Sequence, residues 1–190
     1  MTNSSARRPT PSPGYLAVIR TIDKFTEVTS HIFVIVIVPL ILANVVEVFA
    51  RYVLKAPTVW ALDVTTMSYA TLFMVGAALA LLRGAHVRTD MLWEGFSDRT
   101  KGMIDSLAFI VFFLPTMAVL FFISVDDFIH AVSIDERSSS GAWTPILWPM
   151  RGVIPLTAFM LFLQAISEVM KSLWAWRTGE FLTKHEKIEV

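Results

Sequence analysis

The sequence predicts an all-α membrane protein: four transmembrane helices, N-in/C-in, plus one or two interfacial amphipathic helices. Three observations predict it. Long charge-free runs alternate with charged patches, so that 55% of the residues are hydrophobic and only 17% charged, against roughly 25% charged in soluble domains. Lys and Arg are distributed unevenly between alternate connections. All six tryptophans (60, 93, 143, 148, 174 and 176) fall outside the central parts of the apolar runs, where interfacial anchors belong.

Residues 1–14 carry Pro9, Pro11 and Pro13 among Ser and Thr and read as a disordered tail. Residues 15–28 place Tyr15, Val18, Ile19, Ile22 and Phe25 at three- and four-residue spacing, with Arg20, Asp23, Lys24 and Glu27 on the other side. That pattern predicts an amphipathic helix along the headgroups; its plainer alternative is a cytosolic extension of the first span. The four-helix membrane domain covers 29–170. The first span, about 29–50, contains Pro39 and should kink there. Its apolar run starts near Ile32, too deep and too long for a cleaved signal peptide, so it is expected to be retained.

The second span, about 60–82, holds an uncharged run of 19 residues from Val64 to Leu82, long enough at about 1.5 Å per residue to cross most of a ~30 Å hydrocarbon core. A second interfacial helix is expected at about 90–101, where Met91, Leu92, Trp93 and Phe96 stand among charges. The third span, about 103–125, has Pro115 at its middle, and the fourth, about 152–170, contains Pro155. Between them Asp126 to Arg151 reads as a long connection with a flexible ERSSSGAW stretch, and 171–190 as a charged cytoplasmic tail.

Orientation follows from the cations. Four lie in the N-terminal segment (Arg7, Arg8, Arg20, Lys24), four in the second connection (Arg83, Arg88, Arg99, Lys101) and four in the tail (Lys171, Arg177, Lys184, Lys187). Only Arg51 and Lys55, then Arg137 and Arg151, lie on the opposite side. Twelve against four predicts both termini in the cytoplasm.

Charged groups near span ends are the candidate sites. Glu47 and Arg51 share a helical face at i,i+4, and a short connection should bring Asp63, which follows Trp60 in the next span, to the same level. The plainest reading is an ion-paired hairpin top; contact with a partner membrane protein, or a proton or substrate site, are the alternatives. Arg83, His86 and Asp90 fall three and then four apart, as a clamp between the second span and the interfacial helix would require. Asn44 and Gln164, polar but uncharged inside spans, suit hydrogen bonds between helices.

Several functions are excluded or disfavoured. There is no cysteine, hence no disulfide, iron–sulfur cluster or thiol chemistry. The four histidines (31, 86, 130 and 185) do not face one another across the bilayer in this topology, which argues against haem. No metalloprotease, hydrolase or phosphate-binding motif occurs. Net charge is zero and points to no nucleic acid. Neither enzyme activity nor a cofactor, catalytic, substrate or metal site is expected.

Three segments carry a resemblance: NVVEVFARYVLKAPTVWALD, GAALALLRGAHVRTD and TPILWPMRGVIPLTAFMLFLQAISEV. Together, through Arg51-Tyr52, Trp60 to Asp63, Gly76-Ala77-Ala78, Arg83 with His86-Val87 and Asp90, Pro155 and Gln164, the chain resembles the small membrane subunit (DctQ type) of tripartite ATP-independent periplasmic (TRAP) transporters. It departs from the family pattern in having Val64, not a second acid, after Asp63, and in carrying Glu47. The resemblance implies a multi-pass protein of the bacterial cell inner membrane, partnered by a large multi-span subunit (DctM type) and a periplasmic substrate-binding protein. It also implies symport: uptake of an organic acid driven by sodium, with the small subunit as a scaffold in the lipid bilayer. Two other functions fit the residues without the resemblance: a small four-span proton-coupled exporter acting as a homodimer with Glu47 as proton carrier, and a non-transport membrane assembly protein.

Overall fold

The computed structural model describes residues 11–84, 96–180 and 182. The described residues form α1 (Pro13–Val34), α2 (Ile37–Tyr52), α3 (Ala61–Leu82), α4 (Asp98–Ala108), a π-helical segment (Phe109–Phe113), α5 (Leu114–Ser133) and α6 (Trp148–Thr178). Taken as continuous rods these make four helices long and apolar enough to cross a membrane: Pro13–Tyr52, Ala61–Leu82, Asp98–Ser133 and Trp148–Thr178.

Three of the rods are longer than the expected spans, while α3 matches the span expected at about 60–82, and the differences have physical causes. α1 begins at Ser12, whose hydroxyl accepts from the Tyr15 amide, and Pro13 occupies the first turn, where its missing N–H costs nothing. The boundary expected between an interfacial helix 15–28 and a span 29–50 is not a helix boundary, because α1 runs through it to Val34. The break comes at Ile35–Val36, one turn before Pro39. There the amides of Ile35, Val36 and Val38 bond three residues back. A proline at 39 cannot donate to the carbonyl four residues earlier, so the chain tightens locally into i→i+3 bonds instead of bending at the proline itself.

Pro115 acts similarly but with the opposite sense. Immediately before it the helix widens into the π segment, and the Leu114 amide reaches back five residues to the Phe109 carbonyl. The interfacial helix expected at about 90–101 is not seen as such in its described part: Asp98 to Lys101 form the first turn of α4, capped by the Ser97 hydroxyl, which accepts from the Thr100 amide. Residues 85–95 lie outside the described residues, and so does most of the expected 1–14 tail.

α6 is the axis of the bundle. It packs against α1, α3, α4 and α5, whereas α2 packs mainly on α3. More than half of its apolar stretch is buried, against a small fraction of the α1–α2 and α4–α5 rods. The core cluster joins Val75 and Ala78 of α3 to Val153 and Met160 of α6, with Phe33, Met74, Leu156 and Leu161 around them. α6 does not stop near 170, where Lys171 would end a span. Lys171, Ser172 and Ala175 are buried, and the helix closes at Gly179, whose φ of 76° suits the left-handed C-terminal cap.

Small residues set the spacing between α4 and α6. A Cβ on Gly102 would lie 2.6 Å from both the Ser172 carbonyl oxygen and the Trp176 nitrogen, so only glycine permits this approach. Arg99 seals the same contact by donating from Nε to the Trp176 carbonyl at 2.9 Å. Gly76 of α3 is the reverse case. It costs a helix about 1 kcal/mol relative to alanine, yet a Cβ there would meet nothing within 4 Å.

The two glycines therefore predict opposite outcomes. Gly102→Ala should lower the thermal midpoint of the detergent-solubilised protein, consistent with about 1–3 kcal/mol of overpacking against backbone. Gly76→Ala should leave the isolated chain unchanged or slightly stabilised. Thermal unfolding followed by size-exclusion recovery distinguishes them, and equal effects would contradict the packing described.

Candidate functional site

Two polar clusters occupy opposite ends of the bundle. One lies toward the chain termini, between α1 and α6, which run antiparallel there. The Tyr15 hydroxyl donates to the Met170 carbonyl, and the Tyr15 ring lies against Trp174 with centroids 6.1 Å apart. Next along the pair, Lys171 donates from Nζ to Asp23 Oδ2 at 2.9 Å and to Glu168 Oε1 at 2.8 Å. Asp23 Oδ1 also accepts from Ser167 Oγ at 2.7 Å and from Gln164 Nε2 at 3.0 Å. Gln164 is fully buried, and its Oε1 accepts from Thr26 at 2.9 Å.

Spacing explains why these groups meet. Gln164, Ser167, Glu168 and Lys171 recur at three- and four-residue intervals and form one stripe on α6. Asp23 and Thr26 present the matching face of α1. Lys171 and Glu168 have side chains only 8% and 5% exposed, so neither charge could be accommodated without the other. Of this cluster, sequence reasoning anticipates only Gln164. The amphipathic pattern assigns Asp23 to the polar side, Lys171 is counted into a tail, and Glu168 is passed over. The 164/167/168/171 stripe is the signal that could have found them.

The other end carries the Glu47, Arg51 and Asp63 candidates. Glu47 and Arg51 pair as their spacing predicts: Arg51 Nε and Nη2 donate to Glu47 Oε1 at 2.9 and 2.5 Å. The other carboxylate oxygen accepts from the Thr58 amide at 2.9 Å and from its hydroxyl. Thr58 Oγ1 in turn accepts from the Ala61 amide at 3.3 Å, so it caps α3 where Trp60, the N-cap residue, makes no side-chain cap bond. α2 and α3 are thereby stapled through one threonine.

Asp63 does not join this group, contrary to the expectation of a three-residue cluster. It is 3% exposed in the first turn of α3, and Oδ1 accepts from Ser138 Oγ at 2.6 Å. Oδ2 is buried with no hydrogen-bond partner among the described residues, and a Cβ on Gly141 would lie 3.2 Å from it. Ser138 reaches Asp63 because the connection expected to be flexible is folded. Its arms pair through Ser138 N to Pro145 O and Leu147 N to Glu136 O, both 2.8 Å. Arg151, at the start of α6, fixes the base by donating to Asp127 at 2.7 Å and Glu136 at 2.8 Å. α5 itself extends to Ser133, eight residues past the expected span end.

Of the clamp candidates, Arg83 is the exposed C-cap of α3, followed by Gly84 in the left-handed conformation. His86 and Asp90 lie outside the described residues. A cavity of about 400 Å³ opens between the end of α3, the α4–π–α5 rod and α6. Phenylalanines 109, 112 and 113, Leu81 and Met117 line it, with Glu168 at its edge. Among the described residues no group of three or more His, Cys, Asp or Glu could hold a metal ion.

Each cluster generates a test. Lys171→Met leaves Asp23 and Glu168 facing each other, and should destabilise the protein by about 3–5 kcal/mol, the usual result of removing one partner from a buried ion pair. Adding Asp23→Asn and Glu168→Gln to it should recover much of the loss, as read by the thermal midpoint in detergent. Ser138→Ala should free the 134–147 hairpin and accelerate its cleavage in limited proteolysis, with a loss of about 1–3 kcal/mol from leaving the buried Asp63 carboxylate without this bond. A hairpin as resistant as wild type would show that the Asp63 bond does not hold it.

Comparison with known proteins adds a family to this geometry. No curated protein matches the chain significantly, and neither does any solved structure. Residues 40–174 match the family described as tripartite ATP-independent periplasmic transporters, DctQ component. The match runs from α2 to the buried end of α6 and so includes Glu47, Asp63, the folded 134–147 connection and the Gln164–Lys171 stripe. The chain therefore belongs to the DctQ component family of tripartite ATP-independent periplasmic transporters: it is a multi-pass membrane component of a transporter and not an enzyme.

Proposed function

We propose that this chain is the small scaffold subunit of a sodium-coupled, binding-protein-dependent importer of an organic acid, fixed in the bacterial inner membrane with both termini in the cytoplasm. It works beside a large multi-span subunit of the DctM type, which carries the solute, and a periplasmic binding protein that delivers it. The observation that carries this reading is the condition of the α1–α6 cluster. Asp23, Thr26, Gln164, Ser167, Glu168 and Lys171 are engaged with one another, so the polar groups of this cluster hold helices and not a solute. The exporter alternative makes Glu47 the proton carrier, whereas both of its carboxylate oxygens are occupied, by Arg51 and by Thr58.

The orientation has its own support. The ends of α1 and α6 that carry the termini lie side by side, as Tyr15 against Met170 and Trp174 requires. The cation-rich segments belong to that end, as expected for the cytoplasmic side. The folded 134–147 connection then faces the periplasm, within reach of a docked binding protein. A rigid bundle whose axis is gripped along its length suits a brace against which a second subunit moves.

Reconstitution tests the reading. Proteoliposomes containing the chain, the large subunit and an inward sodium gradient should take up labelled organic acid when the binding protein is supplied. Uptake should fall to background when the chain is omitted or the gradient collapsed. Transport by the chain alone as a homodimer would overturn the proposal.

A further inference from the structure

The outward face of α3 differs from the other exposed faces of the bundle. Leu62, Thr66, Tyr69, Phe73 and Gly76 follow one another at four- and three-residue steps, and all five are exposed, so they form one straight stripe. Tyr69 and Phe73 stack along it with centroids 6.3 Å apart. At its edge Asn44 of α2, also exposed, donates from Nδ2 to the Leu40 carbonyl at 2.7 Å and to Thr65 Oγ1 at 3.2 Å. The Asn44 Oδ1 and the Tyr69 hydroxyl have no hydrogen-bond partner among the described residues. By contrast, Phe112, Val119, Phe122 and Ile123 expose a phenylalanine-rich face on the π segment and α5.

These groups are poorly suited to hydrocarbon. An amide oxygen and a phenol left unbonded in lipid carry a desolvation cost, and hydrocarbon gives no reason for a helix to keep a glycine. Gly76 is informative because none of the described residues comes within 4 Å of its missing Cβ. Bare space, unmet polar atoms and a stacked aromatic pair on one stripe are what a second helix would use: close backbone approach at the glycine, with hydrogen bonds and ring packing on either side.

We infer that the Leu62–Thr66–Tyr69–Phe73–Gly76 stripe of α3, with Asn44 beside it, is the face on which a transmembrane helix of the large subunit docks. The inference rests on the scaffold role proposed above and assigns that role a surface. The docking helix presents a small residue opposite Gly76 and a hydroxyl or amide donor within reach of Asn44 Oδ1. α2 shapes the edge of this groove. Few of its residues are buried within the chain, and Glu47–Thr58 and Asn44–Thr65 hold it to α3.

Co-purification of the full chain with its large subunit tests the assignment. Gly76→Leu should reduce recovery of the large subunit on the order of tenfold, as overpacking at a contact of this kind would. Phe122→Leu, on the apolar face, should not. Because a Cβ at 76 meets no atom of the described residues within 4 Å, the substitution should not lower the isolated chain's thermal midpoint, which separates lost assembly from lost folding. The absence of cysteine allows a second measurement. Spin labels at Thr66→Cys and Phe73→Cys should lose contact with lipid-dissolved oxygen when the complex forms, whereas a label at Phe122→Cys should keep it. Wild-type recovery of the Gly76→Leu variant, or equal oxygen access at all three labels, overturns the face while leaving the scaffold role standing. A disulfide between two copies through Thr66→Cys also overturns it, by assigning the stripe to a homodimer. A wild-type chain that recovers no large subunit overturns both.

Discussion

The ammonium of Lys171, held between Asp23 and Glu168, is the interaction on which the rest of the bundle depends. A cation buried this fully inside a helix bundle is tolerated only with its partners in place, and one of those partners comes from α1. The pair therefore fixes the register of α1 against α6 as well as their proximity. Gln164 and Ser167 extend the same grip along the stripe, and Thr26 completes it from the α1 side. With α1 set, α3 can pack into the angle between α1 and α6, and α2 follows as its hairpin partner. On the other side Gly102 lets the backbone of α4 rest directly on that of α6.

The end away from the termini is organised by different means. Lipid does not drive apolar helices together, so hairpins in membranes rely on local polar staples and close packing. Glu47 bridges Arg51 of its own helix and Thr58 of the connection, and Thr58 caps the next helix. Asp63 anchors the 134–147 hairpin from below, and Arg151 ties the same hairpin to α5 and α6. Each device joins two elements, and together they hold the ends of α2, α3, α5 and α6 that meet at that face of the bundle.

Much of this was legible in the sequence, and the pattern of what was not is physical. Charge-free runs locate four spans because hydrocarbon excludes unpaired charge, and the structure has four rods in those places. The Glu47–Arg51 pair was legible because a helix fixes i,i+4 neighbours whatever its surroundings. The same logic misplaced the helix ends. Asp23, Glu168 and Lys171 look like solvated charges when each is read alone, so the sequence reading closes a span at 170 that continues to Thr178. Asp23 lies more than 140 residues from Gln164 and Ser167 along the chain, and the 164/167/168/171 stripe marks a polar face of α6 without naming its partner on α1. Asp63 was expected beside Glu47 and Arg51 across the short connection, whereas its observed partner, Ser138, belongs to a connection whose small polar residues resemble a flexible linker. Serines and glycine serve there because Gly141 must pass close to a buried carboxylate.

The distribution of burial gives the architecture its asymmetry. α6 is enclosed along most of its length, and its contacts with α1, α3 and α4 consume its glycine-mediated, ionic and apolar surfaces alike. α2 is nearly bare; within the chain it buries only Ala43 and Ala50. A helix so exposed contributes little packing to its own bundle, yet it is held to α3 at Asn44–Thr65 and again through Glu47 and Thr58. Two attachments about one turn apart along α2 resist rotation about the helix axis, which apolar contact alone would not. The α2–α3 hairpin is thus kept in one orientation by groups that add little to the core. That is the economy of a surface shaped for what stands outside the chain: rigidity comes from α6, and the hairpin holds a fixed face toward its surroundings.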